Sequence, residues 1–220
     1  MTTSKKAALI GTTGLIGGYL LRQLEQDAQY GSIRLLVRRP FEVVASKTEV
    51  KVLDFADATA FRNALKSTDV IFCTIGTTQQ KVGGDKEAYR KVDFDIAVNA
   101  ARYGQEAGCR HLVLVSSVGA STKAGNFYLQ LKGEIEEAVK AVGLPAVSIF
   151  QPSMLLGDRK ERRIGERIGQ VAMSTFSFLI PSNYKPIAAA EVAAAMAQAG
   201  KQDVAGVKVY QYSGIKKLLE

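Results

Sequence analysis

The sequence predicts an α/β fold: a doubly wound, mostly parallel sheet with a small C-terminal portion lying over the sheet's carboxyl edge. Three observations predict it. Short apolar runs bounded by turn residues alternate with longer segments of helical period along most of the chain. At the first such junction Gly11, Gly14 and Gly17 recur at three-residue spacing. A length of 220 residues with 47% apolar content suits one well-buried domain and argues against two.

The elements follow in order. Residues 7–10 form a buried strand that meets the glycines, and a helix follows with Leu15, Ile16, Tyr19, Leu20, Leu21 and Leu24 on its apolar stripe. In such a strand–turn–helix, Gly11 permits the sharp turn. Gly14 lets the backbone approach a pyrophosphate, and Gly17 lets helix pack closely on strand. The first-turn N–H groups and the positive end of the helix dipole suit an anion. Strand two spans 32–37 and runs into Arg38-Arg39-Pro40; strand three spans 50–53. Residues 57–66 form a short helix that Asp57 caps. Strand four, 69–74, leads to Ile75 and Gly76, and a polar loop over 79–85 leads to a long helix over 86–107. Strand five, 110–116, is the most continuous apolar run. A helix over 126–142 stops at Gly143 and Pro145, and strand six spans 146–150.

From Leu155 onward the alternation degrades. A basic segment, an apolar stretch around Phe176, Phe178, Leu179 and Ile180, an Ala-rich helix over 188–199 and a strand near 207–212 complete the chain. The phenylalanine-rich stretch reads as packing against the sheet. One domain, 1–220, fits best, with 153–200 forming most of the substrate-side cover.

Composition excludes several classes. No run approaches the roughly 18 apolar residues of a membrane span, and the N-terminus lacks the apolar core of a signal peptide. Cys73 and Cys109 are too few for a disulfide framework and lack metal spacing, so a reducing cytoplasm is expected and no metal. The net charge of +8 is spread over several segments without interleaved aromatics, which argues against nucleic acid.

The two basic clusters suit a phosphate-rich ligand. Arg38 and Arg39 stand 21 and 22 residues after Gly17, where an acidic residue would bind the ribose of NAD and an arginine accommodates the 2′-phosphate of NADP. They predict NADP(H); two solvated loop arginines are the alternative. Tyr128 and Lys132 share a helix face at i and i+4. A phenol is a poor acid–base group at neutral pH, and a nearby ammonium favours its phenolate form. Ser116 and Ser117 end strand five, where sheet carboxyl edges build active sites, and a hydroxyl there can hold a substrate oxygen. In the basic run 158–167, a solvated helix face competes with a lid whose Arg163 reaches a phosphate or an anionic substrate. His111 reads as a strand-end residue.

Together these residues resemble the atypical short-chain dehydrogenases/reductases. The stretches 73–78, 116–120, 126–134 and 155–159 are similar to the HIV Tat-interacting oxidoreductase-like proteins and their microbial relatives, and the resemblance covers about 5–200. It implies a Rossmann fold binding NADPH, with Tyr128 as proton donor and acceptor and Lys132 orienting the nicotinamide ribose. It further implies that Thr13, Gly14, Leu15 and Ile16 hold the pyrophosphate. Arg38 and Arg39 would take the 2′-phosphate, Ile75 and Gly76 would flank the adenosine half, and Leu155 the nicotinamide side. Ser117, second after the strand as in extended relatives, is preferred over Ser116 as the substrate-facing hydroxyl. Two departures stand out: Gln151-Pro152 replaces a frequent Arg-Pro, and Asp93 stands where extended members commonly have asparagine.

The expectation is an NADPH-dependent oxidoreductase acting on a small carbonyl or quinone-like substrate, as a monomer or homodimer. One alternative is a non-catalytic NADPH-binding module that reports to a protein partner; the other is an electron-transfer or isomerase-type relative that uses the bound nucleotide transiently, as sugar epimerases do.

Overall fold

The computed structural model describes residues 4–157, 182–202 and 204–220. Strand β1 (Lys5–Ile10) sends alternate side chains to opposite layers: Ala7 and Leu9 to one core, Ala8 and Ile10 to the other. Both sets are buried, which is why the run reads as continuously apolar. β2 (Tyr30–Val37), β3 (Thr48–Val52), β4 (Val70–Cys73), β5 (His111–Val115), β6 (Ala146–Phe150) and a later strand, Gly206–Tyr210, complete the sheet. Every pairing in it is parallel, in the order Thr48–Val52, β2, β1, β4, β5, β6, Gly206–Tyr210. The chain reverses direction across the sheet between β1 and β4. That switch point opens a crevice at the strands' carboxyl ends, where doubly wound sheets bind ligands.

Helix α1 (Leu15–Gln26) buries Ile16, Leu20, Leu21 and Leu24 on the face carrying Leu9. The opposite face is covered by α2 (Ala58–Ala64), the paired helices α3 (Lys86–Arg90) and α4 (Ile96–Glu106), and α5 (Phe127–Val142). Asp57 caps α2 as expected, accepting from Thr59 N and Ala60 N at 2.9 and 3.0 Å. The helix expected over 86–107 is interrupted: Lys91–Asp95 form a π-helical turn between α3 and α4. A short 3₁₀ turn, Gln79–Val82, occupies the expected polar loop.

Part of the segment 153–200 is built differently from a cover. Leu155–Leu156 (β7) and Ile187–Ala188 (β8) pair in a separate two-stranded sheet. Helix α6 (Ala189–Lys201) then lies beside α1, its Ala189, Val192, Ala193 and Met196 fully buried against the sheet. Tyr30 Oη donates to Ala197 O at 2.6 Å across this layer. Gly206–Tyr210 is β9, which begins one residue and ends two residues before the expected strand, and α7 (Tyr212–Lys217) follows. Residues 158–181, including Arg163 and the apolar stretch around Phe176, lie outside the described residues. Among the described residues no helix is long and apolar enough to cross a membrane, and no three metal-ligating side chains cluster.

Candidate active site

One side of the crevice is assembled from the loops after β1, β2 and β4. Gly11 adopts φ +93°, in the left-handed region. Gly14 N–H donates back to Gly11 O at 2.9 Å, closing the turn. A Cβ on Gly17 would stand 2.1 Å from Gly11 O, so helix and strand meet at a distance only glycine allows. Gly14 is the N-cap residue of α1 and offers no side-chain cap, and the first turn carries no acid. The first backbone bond of the turn, Gly18 N–H to Gly14 O, leaves the N–H groups of Leu15, Ile16 and Gly17 ahead of it. Thr13 and Gly14 are exposed at the loop tip, while Thr12 Oγ1 is buried without a hydrogen-bond partner. An uncapped, unneutralised helix start beside a glycine cradle suits the diphosphate of a dinucleotide.

The loop after β4 faces this turn across the switch point. A Cβ on Gly11 would lie 2.7 Å from Thr74 C, and Thr74 Oγ1 donates to Ile10 O at 3.0 Å. Ile75 is half-buried and Gly76 exposed. Arg38 and Arg39 follow β2, exposed, with no hydrogen-bond or ion-pair partner among the described residues. Gly157, two residues after Leu155, comes to the same edge: a Cβ on it would lie 3.4 Å from Leu15 Cδ1.

The other half is built on α5. Asn126 caps the helix by accepting from Leu129 N at 2.8 Å. Tyr128 is exposed on the first turn, and Lys132 lies one turn on, buried, with Nζ 5.9 Å from the centre of the Tyr128 ring. Lys132 Nζ donates to Asp93 Oδ2 at 3.0 Å. Burial opposes the charge on Lys132, yet the Asp93 carboxylate, with a smaller effect of Tyr128, holds the ammonium above its ordinary pKa. The loop after β5 is pressed onto the same helix. Ser121 N–H donates to Leu129 O at 3.1 Å, and a Cβ on Gly133 would fall 2.2 Å from Ser121 C.

The two serines part ways. Ser116 is buried and its hydroxyl donates to Glu136 Oε1 at 2.5 Å. Ser117 is half-buried, and its Oγ makes a 3.4 Å contact with Val118 O. Two acids that the motifs did not single out for a role therefore matter. Asp93 is fully buried between Lys132 and the β4 loop. Glu136, two turns beyond Tyr128 on α5, takes Ser116 and both contacts of the Gln151 amide at 2.8 and 3.1 Å. The signal for Glu136 was the i, i+4, i+8 series Tyr128, Lys132, Glu136 on one helix face. Gln151, in the place of the family's frequent arginine, donates to it, and Gln211 Nε2 donates to Gln151 Oε1 at 2.9 Å. His111, read as a strand-end residue, opens β5 and is buried, with Nε2 2.9 Å from Ser148 Oγ.

Residues 11–203 match the family model described as NAD(P)H-binding. The chain belongs to that family. Within the NAD(P)H-binding family, Protein HTATIP2 of Rattus norvegicus is 33% identical over 166 residues, 74% of this chain and 68% of the relative. Protein FMP52, mitochondrial, of Candida albicans is 32% identical over 190 residues, covering 84% and 82%. This NAD(P)H-binding chain thus stands in the group its sequence resembles. Its fold is that of a UDP-N-acetylglucosamine 4-epimerase from Methanobrevibacter ruminantium M1, with a TM-score of 0.73 at 15% identity over 95% of this chain and 77% of the other. MoeE5 in complex with UDP-glucuronic acid and NAD superposes at 0.72, with 14% identity over 94% and 76%. The helix start, the glycine cradle and the β4 loop are the parts of this chain that fit an NAD(P) nucleotide.

Proposed function

We propose that the protein is an NADPH-dependent oxidoreductase that reduces a small carbonyl or quinone-like substrate. The observation that carries this reading is the buried Lys132 ammonium set beside the exposed Tyr128 ring, on the edge of the sheet that carries the uncapped α1. Thr13, Gly14, Leu15 and Ile16 would hold the pyrophosphate, Arg38 and Arg39 the 2′-phosphate, and Ile75 and Gly76 the adenosine half. Leu155 would lie on the nicotinamide side. The bound nucleotide supplies a hydride to the carbonyl carbon.

The chain's own residues handle the oxygen. Tyr128 donates its phenolic proton to the oxygen as negative charge develops there, and Ser117 donates a hydrogen bond to the same atom. The Lys132 ammonium favours the phenolate left behind and positions the nicotinamide ribose. Ser116 is held by Glu136 and supports the loop from beneath. Reducing surroundings suit the two free, buried cysteines; we expect the cytoplasm, and the word mitochondrial in the FMP52 names makes the mitochondrion the rival compartment. The protein would act as a monomer or homodimer.

NADPH oxidation against a panel of carbonyls and quinones tests the reading, with Tyr128→Phe alongside. Turnover should fall by about 10²–10⁴ in the variant. Equal turnover removes Tyr128 from the role, and binding without any turnover favours a cofactor-reporting module. An Arg38→Ala/Arg39→Ala variant should lose its preference for NADPH over NADH; an unchanged ratio overturns the 2′-phosphate assignment.

A further inference from the structure

Asp93 has a place in the structure that proton donation by Tyr128 does not require. It sits in the π-helical turn between α3 and α4, a backbone insertion found mostly at functional sites. Its side chain is wholly buried, and its two carboxylate oxygens are divided between different elements. Oδ1 accepts from the backbone N–H of Thr77 at 2.7 Å, and Oδ2 accepts from Lys132 Nζ at 3.0 Å. One turn earlier on the same helix, Tyr89 Oη donates to the carbonyl of Thr77 at 3.0 Å. Both backbone polar groups of Thr77 are therefore held by residues 89 and 93. Thr77 lies directly after Ile75 and Gly76, on the loop that faces the glycine turn.

We propose that Asp93 is a positioning residue that joins the β4 loop and Lys132 into one unit, so that NADPH binding depends on the carboxylate at position 93. The inference rests on the reading of the crevice as an NADPH site. A single carboxylate fixes a loop flanking the nucleotide and the cation that meets its ribose, so neither moves without the other. An asparagine offers one oxygen where Asp93 uses two, one per partner, so in the same orientation its NH₂ would face either the ammonium or the Thr77 N–H. The groups facing Lys132 are Asp93 from the π turn, Tyr128 from its own helix and Cys73 from the end of β4. Burial pushes the Cys73 thiol up to about 11, so it stays neutral around Lys132 through ordinary pH. Asp93 is thus the carboxylate that keeps a buried ammonium charged, and without it only the smaller effects of Tyr128 and Cys73 oppose burial at Lys132.

The experiment is a fluorescence titration with NADPH between about pH 7 and pH 9, a range in which unpaired buried lysines lose their proton. It compares wild type, Asp93→Asn, Lys132→Met and the double variant Asp93→Asn/Lys132→Met. Wild type should bind with a Kd that is flat across this range. Asp93→Asn should bind more weakly as the pH rises, by at least about tenfold over the range, because a proton is now linked to binding. A profile parallel to wild type overturns the proposal, since a merely structural carboxylate would leave the pH dependence unmoved. Absence of NADPH binding in wild type fails the reading of the crevice itself, and is told apart by the wild-type curve alone. Should Asp93→Asn not fold, the double variant, which buries no charge, takes its place. A flat Kd at least about tenfold above that of Lys132→Met, which shares the loss of the ribose contact, supports the coupled unit, and a Kd equal to that of Lys132→Met overturns it.

Discussion

At position 17 one methyl group separates a working nucleotide turn from a displaced one. The neighbour that an added Cβ would meet at 2.1 Å is the backbone carbonyl of Gly11, which cannot swing aside as a side-chain tip can. Gly17→Ala should therefore push α1 off β1, cost on the order of 1–3 kcal/mol and weaken NADPH binding together. Thermal unfolding and an NADPH titration of the same sample check it; a variant of wild-type stability and affinity would show that the contact relaxes freely. This glycine was readable in the sequence because its constraint is local, set by a turn three and six residues away. The division of labour between Ser116 and Ser117 was only half readable. Their position after β5 follows from the strand pattern, but the partner that buries Ser116 is Glu136, twenty residues on and brought back by α5. Position after a strand ranks two hydroxyls; a distant carboxylate buries one of them and leaves the other half-exposed.

At the scale of the element, the helix expected over 86–107 illustrates the same limit. Tyr89, Ile96, Ala97 and Ala100 are buried, as a helical stripe requires, and nothing in that periodicity marks the π turn at Lys91–Asp95. The turn delivers Asp93 into the interior, and a buried carboxylate is tolerated only with partners that lie on α5 and the β4 loop. The pairing has a measurable sign in pH. Burial works against the Lys132 charge, but Asp93 outweighs it and the folded value lies above the ordinary one near 10.4. A raised lysine contributes its full stabilisation below the unfolded value and loses it as the pH climbs through the folded value. Urea-unfolding midpoints of wild type should thus owe no loss to this pair until the pH exceeds about 10.4. In Asp93→Asn burial is opposed only by the smaller effects of Tyr128 and Cys73, the folded value falls below the unfolded one, and stability should rise with pH up to about 10.4 where wild type stays level. If the two profiles run parallel, the charge at position 93 does not govern the protonation of Lys132.

Across the described residues, the parallel sheet and both helical layers as far as β6 follow from alternating strand and helix signals, whereas the arrangement beyond Leu155 does not. Beyond Leu155 the apolar stripe of α6 is mostly alanine, with Val192 and Met196 its larger members, so its burial depends more on the shape of α1 and the sheet than on hydrophobic contrast. The expected cover is accordingly, in this part, a second wall of the core. Tyr30 ties that wall to the sheet. Its ring packs edge-on against Phe72 with centroids 5.9 Å apart, and its hydroxyl donates to Ala197 O. Burial raises the pKa of this phenol far above its usual value, so the donor is present at every pH the fold withstands. Tyr30 opens β2 at the amino-terminal edge of the sheet, and Arg38 follows the other end, about 25 Å away at 3.3 Å per residue. Tyr30→Phe keeps the ring and deletes one hydrogen bond, which should cost about 1 kcal/mol and lower Tm by about 2–4 °C. NADPH affinity should not change, because the lost bond lies in the α6 layer and the crevice is framed by β1, β4 and α5. A variant with unchanged Tm would mean that the Ala197 carbonyl is satisfied without Tyr30. One that binds NADPH more weakly would mean that the α6 layer sets the geometry of the crevice from the far end of the sheet.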